Sequence, residues 1–169
     1  MVSRVTPQAG DLLEVLRGVM DPEVPVLNIV ELGIVRRVDV GTDGLVTVEV
    51  TPTYSGCPAM HAIEQDIVAA LRAQGHERVE LRTVFSPAWT TDWMSDEAKA
   101  KLTAYGIAPP GPAVAEAMLV PLTSTVRHTA CPNCGSPNTE RKSEFGATAC
   151  KAIHFCNHCH QPFEEFKAI

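Results

Sequence analysis

Six cysteines carry most of the chemistry that this sequence offers. Four of them form two C-x-x-C pairs, Cys131-Pro132-Asn133-Cys134 and Cys156-Asn157-His158-Cys159, separated by 21 residues. Thiolates two residues apart fold into a tight knuckle. Two knuckles bring four sulfurs to the corners of a tetrahedron, the geometry zinc prefers. Four thiolates also suit an iron–sulfur cluster, so ligand type alone leaves the metal open; the paired knuckles favour zinc. His154, His158 and His160 crowd the second knuckle, and with four cysteines present they are expected at the surface. Cys150, in Phe145-Gly146-Ala147-Thr148-Ala149-Cys150-Lys151, lies outside the pairs. It is a packing residue, a spare ligand or a reactive thiol beside a cation, and packing is the simplest reading.

The sixth cysteine sits in Thr51-Pro52-Thr53-Tyr54-Ser55-Gly56-Cys57-Pro58. An alternating run, Leu45–Val50, precedes it and predicts a strand; Met60, Ile63, Ile67 and Leu71 follow at helical spacing. Proline suits the first helical position, where its missing N–H would have no partner. Cys57 therefore falls at a helix N-terminus, where unpaired N–H groups and the helix dipole favour an anion such as a thiolate. It is either a nucleophile or metal ligand, or a small buried apolar residue. His61, four residues on, shares its helical face, so a Cys–His couple is a further reading, although no oxyanion hole or orienting third group accompanies it. Asp21 and Glu23, in Asp21-Pro22-Glu23-Val24-Pro25, are paired carboxylates at a site or an acidic helix-ending loop.

Local patterning places each of these groups on a helix, strand or turn. Asp11 to Met20 is expected as an amphipathic helix with Leu12, Leu13, Leu16, Val19 and Met20 on one side, ended by the two prolines. Ile34–Val40 and Leu45–Val50 form a hairpin across Gly41-Thr42-Asp43-Gly44. The helix from Ala59 stops at Gly75, and Glu77–Phe85 is a third strand, parallel to its partner because a helix crosses between them. Trp89 and Trp93 flank a short turn and are expected to pack in the core or as a lid, before a helix from Ser95 to about Tyr105 that Gly106 ends. The expected fold is α/β (α+β): a small mixed sheet of three strands with flanking helices, and a C-terminal zinc-ribbon-like β module. The expected domains are 1–106, a Pro-rich linker over 107–126, and a metal-binding ribbon over 127–169. The ribbon is too short for a self-sufficient core, and a bound metal would explain how it folds.

Bulk composition narrows the partners. Lys+Arg number 14 against 20 Asp+Glu, a net charge of −6, which argues against nucleic acid as the main partner. From Arg127 on the charge is +1, on a body of −7, which favours a protein partner for the ribbon. No apolar run is long enough to span a membrane, and Met1 to Pro7 lacks the apolar core of a signal peptide. The expectation is a cytoplasmic protein with reduced thiols.

Four motifs, Asp21-Pro22-Glu23-x-Pro25, Glu31-Leu32-Gly33, Thr53-x-x-Gly56-Cys57-Pro58 and Pro87-x-Trp89, resemble the SufT-like family of small α/β domains linked to iron–sulfur assembly. Three further motifs are Cys131-Pro132-x-Cys134-Gly135-Ser136, Phe145-Gly146-x-Thr148-x-Cys150-Lys151 and Pro162-Phe163-x-x-Phe166-Lys167. They resemble the C-terminal extension of the PaaD (PaaJ) subgroup, encoded with the multicomponent phenylacetyl-CoA epoxidase of aerobic phenylacetate degradation. The resemblance implies that Cys57 is the functional thiol and that Asp21 and Glu23 line the same site. It implies an accessory role, maturing the epoxidase by iron–sulfur cluster or iron insertion, with no catalysis of its own. The implied partners are the iron–sulfur flavin reductase or the di-iron oxygenase. Cys57 would hold iron or a cluster transiently, with a second copy of the chain supplying further ligands, since one cysteine cannot supply four. Zinc would sit in the ribbon on Cys131, Cys134, Cys156 and Cys159. The alternative is a non-catalytic docking subunit of the oxygenase complex. The chain itself shows no Glu-x-x-His pairs on long helices for a di-iron site and no glycine-rich phosphate loop or flavin motif.

Overall fold

A computed structural model describes residues 7–111 and 129–169, with side chains from Gly10 on. The described residues divide into two compact units, one reaching to Trp89 and including Trp93–Ala98, the other holding Thr90–Asp92 and the described part of Lys99–Ile169.

In the first unit, helix α1 spans Pro7–Leu16. It begins and ends four residues earlier than the sequence periodicity suggests. Gly18 and Val19 donate to the carbonyls of Val15 and Leu16, three residues back, so the chain tightens out of the helix before Asp21-Pro22. Val19 is still buried, but Met20 is 40% exposed and forms an isolated antiparallel bridge with Asn28, so it is not part of the apolar stripe. Strands β1 (Val35–Val40) and β2 (Val46–Val50) pair antiparallel, and β3 (Val79–Thr83) pairs parallel to β2, in the order β1-β2-β3. Val46, Val48 and Val50 alternate inward and are fully buried. Helix α2 (Ala59–Ala73) is the crossover, burying Ala59, Ile63, Ile67 and Leu71. Gly75, at φ +89°, ends it in the left-handed conformation that glycine adopts at least cost.

Helix α3 (Asp96–Tyr105) is capped by Ser95, whose Oγ accepts the Ala98 N–H at 3.1 Å. In the second unit β4 (Ile107–Ala108), β5 (Thr139–Ser143), β6 (Lys151–Cys156) and β7 (Pro162–Phe166) form a sheet ordered β4-β7-β6-β5. The β5–β6 hairpin joins the two C-x-x-C pairs, as a ribbon requires. Of the expected linker, Ile107 and Ala108 form strand β4, parallel to β7, and residues 112–126 lie outside the described residues. No helix among the described residues is long and apolar enough to cross a membrane.

Candidate functional sites

The four paired cysteines converge. Their Sγ atoms all lie within 4.8 Å of one another, with Cys131–Cys159 at 3.7 Å and Cys134–Cys156 at 3.6 Å. A tetrahedron with metal–sulfur bonds of ~2.3 Å has edges of ~3.8 Å, so the residues fit one tetrahedrally held ion. Each knuckle is built in the same way. Gly135 N–H donates to the Cys131 carbonyl at 2.8 Å and His160 N–H to the Cys156 carbonyl at 2.9 Å; both residues take a positive φ, +72° and +58°. A residue in the left-handed conformation after the second cysteine turns the backbone back over the site, and histidine there bears a cost that glycine does not. His160 therefore shapes the second knuckle through its backbone.

The thiols are unequal before any metal binds. The Cys159 backbone N–H donates to Cys156 Sγ at 3.5 Å, and chiefly this bond pulls the Cys156 thiol down to about 6. Burial pushes the Cys159 thiol up to about 12. Cys134 is held above its ordinary value: the Ser136 N–H lowers it, but burial and the neighbouring Cys156 and Cys131 thiols outweigh that bond.

His154 is buried at 2% exposure, not at the surface as expected. It lies on the inward face of β6, shares a 2.7 Å hydrogen bond through Nε2 with Glu165 Oε2, and stacks on Phe163 with ring centroids 5.3 Å apart. Thr129 Oγ1 donates to the other Glu165 oxygen at 3.0 Å. His158 and His160 are exposed. Alternation in β6 is the signal that marks His154: it falls between Ala152 and Cys156, both fully buried. Cys150 is buried beside Thr148 Oγ1 at 3.1 Å, in keeping with packing.

In the first unit Cys57 is half-buried one residue before the α2 N-cap, Pro58, which makes no side-chain capping bond. Gly56, at φ +82°, turns the chain into it, and the Cys57 carbonyl accepts the Met60 N–H at 3.3 Å. The expected N-terminus thus lies one residue earlier than the helix proper, within the usual spread of helix ends. His61 Nε2 lies 3.1 Å from Gln65 Nε2, a bond along the helix surface. Thr51, at the other end of the loop, is 2% exposed, and its hydroxyl finds no partner among the described residues.

Asp21 is buried, and its Oδ1 accepts the N–H groups of Glu23 and Val24, each at 2.7 Å. It thereby holds the Pro22–Pro25 loop shut. Glu23 is half-buried in that loop. Asn28 and Glu31 cap each other reciprocally: Asn28 Oδ1 accepts from Val30 and Glu31 N–H at 3.0 and 2.9 Å, and Glu31 Oε2 from Asn28 N–H at 3.3 Å. Gly33 follows at φ +74°, and a Cβ there would lie 3.1 Å from Trp93 Cβ. Trp89 is buried in the core, as expected, and the Arg36 guanidinium lies 3.7 Å over the Trp93 ring.

Comparison with known proteins gives two family matches: an iron–sulfur cluster assembly protein model over residues 10–81 and a PaaD zinc β-ribbon domain model over residues 116–167. The chain is 42% identical over 163 residues to an Escherichia coli (strain K12) protein named as one of the subunits of 1,2-phenylacetyl-CoA epoxidase, covering 96% of this chain and 94% of that one. It is 42% identical over 93 residues to an Fe-S protein maturation auxiliary factor of Porphyromonas gingivalis (strain ATCC BAA-308 / W83), covering 54% of this chain and 88% of the relative. Among solved structures, a crystal structure of a DUF59 domain from Bacillus anthracis superposes with a TM-score of 0.52 at 30% identity, over 55% of this chain and 89% of that one.

Proposed function

The chain belongs to the PaaD family and matches both an iron–sulfur-assembly domain and a zinc β-ribbon, and we propose that it is an accessory factor that matures the metal centres of a phenylacetyl-CoA epoxidase. The observation that carries this reading is Cys57. It is the first unit's one cysteine in the sequence, half-buried where the chain enters α2. Iron, or an iron–sulfur cluster, is the cargo. Cys57 supplies one sulfur ligand where the chain enters α2. A single protein thiolate leaves most positions of the cargo open, which suits hand-over to a client whose own cysteines complete the set. Asp21 keeps the acidic loop closed in its buried conformation, and Glu23 offers the second carboxylate of the site.

The ribbon holds zinc, which on Cys131, Cys134, Cys156 and Cys159 supplies a structural cross-link and no reaction. With its near-neutral charge it docks the client, the iron–sulfur flavin reductase or the di-iron oxygenase. The protein acts in the cytoplasm. The name of the Escherichia coli relative favours a second reading, in which the chain is a stoichiometric docking component of the epoxidase.

The test is anaerobic co-expression of the epoxidase subunits with the wild-type chain or Cys57→Ala, followed by iron, acid-labile sulfide and zinc analysis of each. Loss of iron and sulfide from the client, with zinc in this chain unchanged, supports maturation. A fully loaded client with Cys57→Ala, and this chain retained at fixed stoichiometry, supports the docking role instead.

A further inference from the structure

Strand β3 is an edge: among the described residues only β2 pairs with it. Its bonds to β2 run through Arg78 and Val84, since Val46 N–H donates to the Arg78 carbonyl and Val84 N–H to the Val50 carbonyl. In a parallel ladder, alternate residues serve the neighbour, so the N–H and C=O groups of Val79, Leu81 and Thr83 point to the free edge. Such a row is a template for another strand unless something blunts it. Strand β3 has no proline or bulge, and its two charges, Glu80 and Arg82, pair with each other at 3.0 Å. Beside the edge, a groove of ≈ 380 Å³ runs between α2 and β3, lined by Glu64, Val68, Ala69, Arg72 and Leu81 among others.

We propose that this edge and groove are a homodimer interface, in which β3 of one chain pairs antiparallel with β3 of a second copy about a two-fold axis at Leu81. The edge is self-complementary. With Leu81 facing Leu81 of the other copy, Glu80 faces Arg82 and Val79 faces Thr83, so both charged positions meet their opposites. The groove obeys the same rule. With Val68 on the axis, Glu64 meets Arg72 of the antiparallel α2 across it. The charges therefore match in both layers, with an apolar residue at the centre of each. Pairing would join the two three-stranded sheets into one of six strands and cover Leu81 and Val68.

This dimer has a consequence for the proposed cargo site. Cys57 lies eleven residues from Val68 along the α2 side of the chain. At ~1.5 Å per residue on each side of the axis, the two Cys57 thiols end about 30 Å apart. They cannot share one cluster, so each copy presents its own site, and the remaining ligands come from elsewhere.

The experiment is sedimentation equilibrium of the zinc-loaded full chain over a concentration series, for the wild type, Glu80→Arg, and Glu80→Arg with Arg82→Glu, with circular dichroism confirming the fold of each. The wild type is expected at twice the 18.2 kDa chain mass. Glu80→Arg sets two arginines opposite each other twice over and is expected to weaken dimerisation roughly tenfold or more. The double reversal restores opposite pairs and is expected to restore the dimer. A monomeric wild type, a dimer indifferent to Glu80→Arg, or a folded double variant that stays monomeric would each overturn the proposal. The outcome is independent of Cys57, so it stands or falls apart from the maturation reading.

Discussion

The indole N–H of Trp89 donates to the main-chain carbonyl of Leu32 at 2.9 Å. This bond spans 57 residues and ties Pro87-x-Trp89 to Glu31-Leu32-Gly33. It accounts for both motifs at once. Gly33 has no side chain because the Trp93 Cβ would lie 3.1 Å from one, and Leu32 offers its carbonyl from a core position of 1% exposure. Trp89→Phe keeps an aromatic ring but leaves that carbonyl buried and unpaired. The expected cost is about 1–3 kcal/mol in urea unfolding, with the metal content of the ribbon unchanged.

Asp21 separates a structural from a functional carboxylate. Asp21→Ala removes the acceptor of two N–H groups, one buried and one half-buried, and is expected to destabilise the first unit by about 2–4 kcal/mol. Asp21→Asn retains an Oδ1 acceptor without the charge and is expected to fold with a smaller loss. Chemical denaturation of both variants, set beside client loading, separates the roles: if Asn folds but fails to load the client, the charge itself serves the cargo.

The two knuckles predict opposite effects at equivalent positions. Gly135→Val forces a branched side chain into a left-handed conformation and is expected to cost about 1–2 kcal/mol and speed zinc loss to a chelator. His160→Gly relieves the same cost in the second knuckle and is expected to hold zinc as well as the wild type. A chelator competition on the two variants checks both, and faster loss from His160→Gly would make the imidazole itself a participant.

Metal uptake should depend on pH in a defined direction. The Cys156 thiol, drawn down to about 6 by the Cys159 N–H, is ionised at pH 7, whereas Cys159 is protonated up to about 12. Zinc binding at pH 7 is therefore expected to release fewer than four protons, because Cys156 has none to give. The lowered Cys156 value also stabilises the folded knuckle. That stabilisation is fully present above the ordinary thiol value of 9.0, shrinks as pH falls, and is gone once pH has passed below about 6. Calorimetric titration of the metal-free protein in buffers of different ionisation enthalpy reads the proton count directly.

Much of the fold is legible in the residue pattern. Valines alternating through Val46–Val50, isoleucines at helical spacing in α2, and Gly75 at its end each encode a local conformation, and each appears as expected. The convergence of the four paired cysteines is legible because C-x-x-C spacing marks metal-binding knuckles by residue type more than by context. Periodicity sets the first helix too late along the chain because Met20 has the right polarity but precedes a proline-rich loop, whose geometry turns it outward. His154 escapes a reading by residue type because its burial follows from its place in an alternating strand, not from its polarity.

The elements and the two cysteine knuckles are local properties of this sequence, since periodicity, prolines, glycines and C-x-x-C spacing act over a few residues. Other relations exist only once the chain has folded: Leu32 and Trp89 meet, Asp21 ties down its own loop, His154 pairs with Glu165 inside the ribbon, and among the described residues β3 pairs on one side alone. Those relations depend on which distant segments share a layer, and burial there creates the demand for each hydrogen bond: a polar group removed from water must find its partner wherever the fold places one.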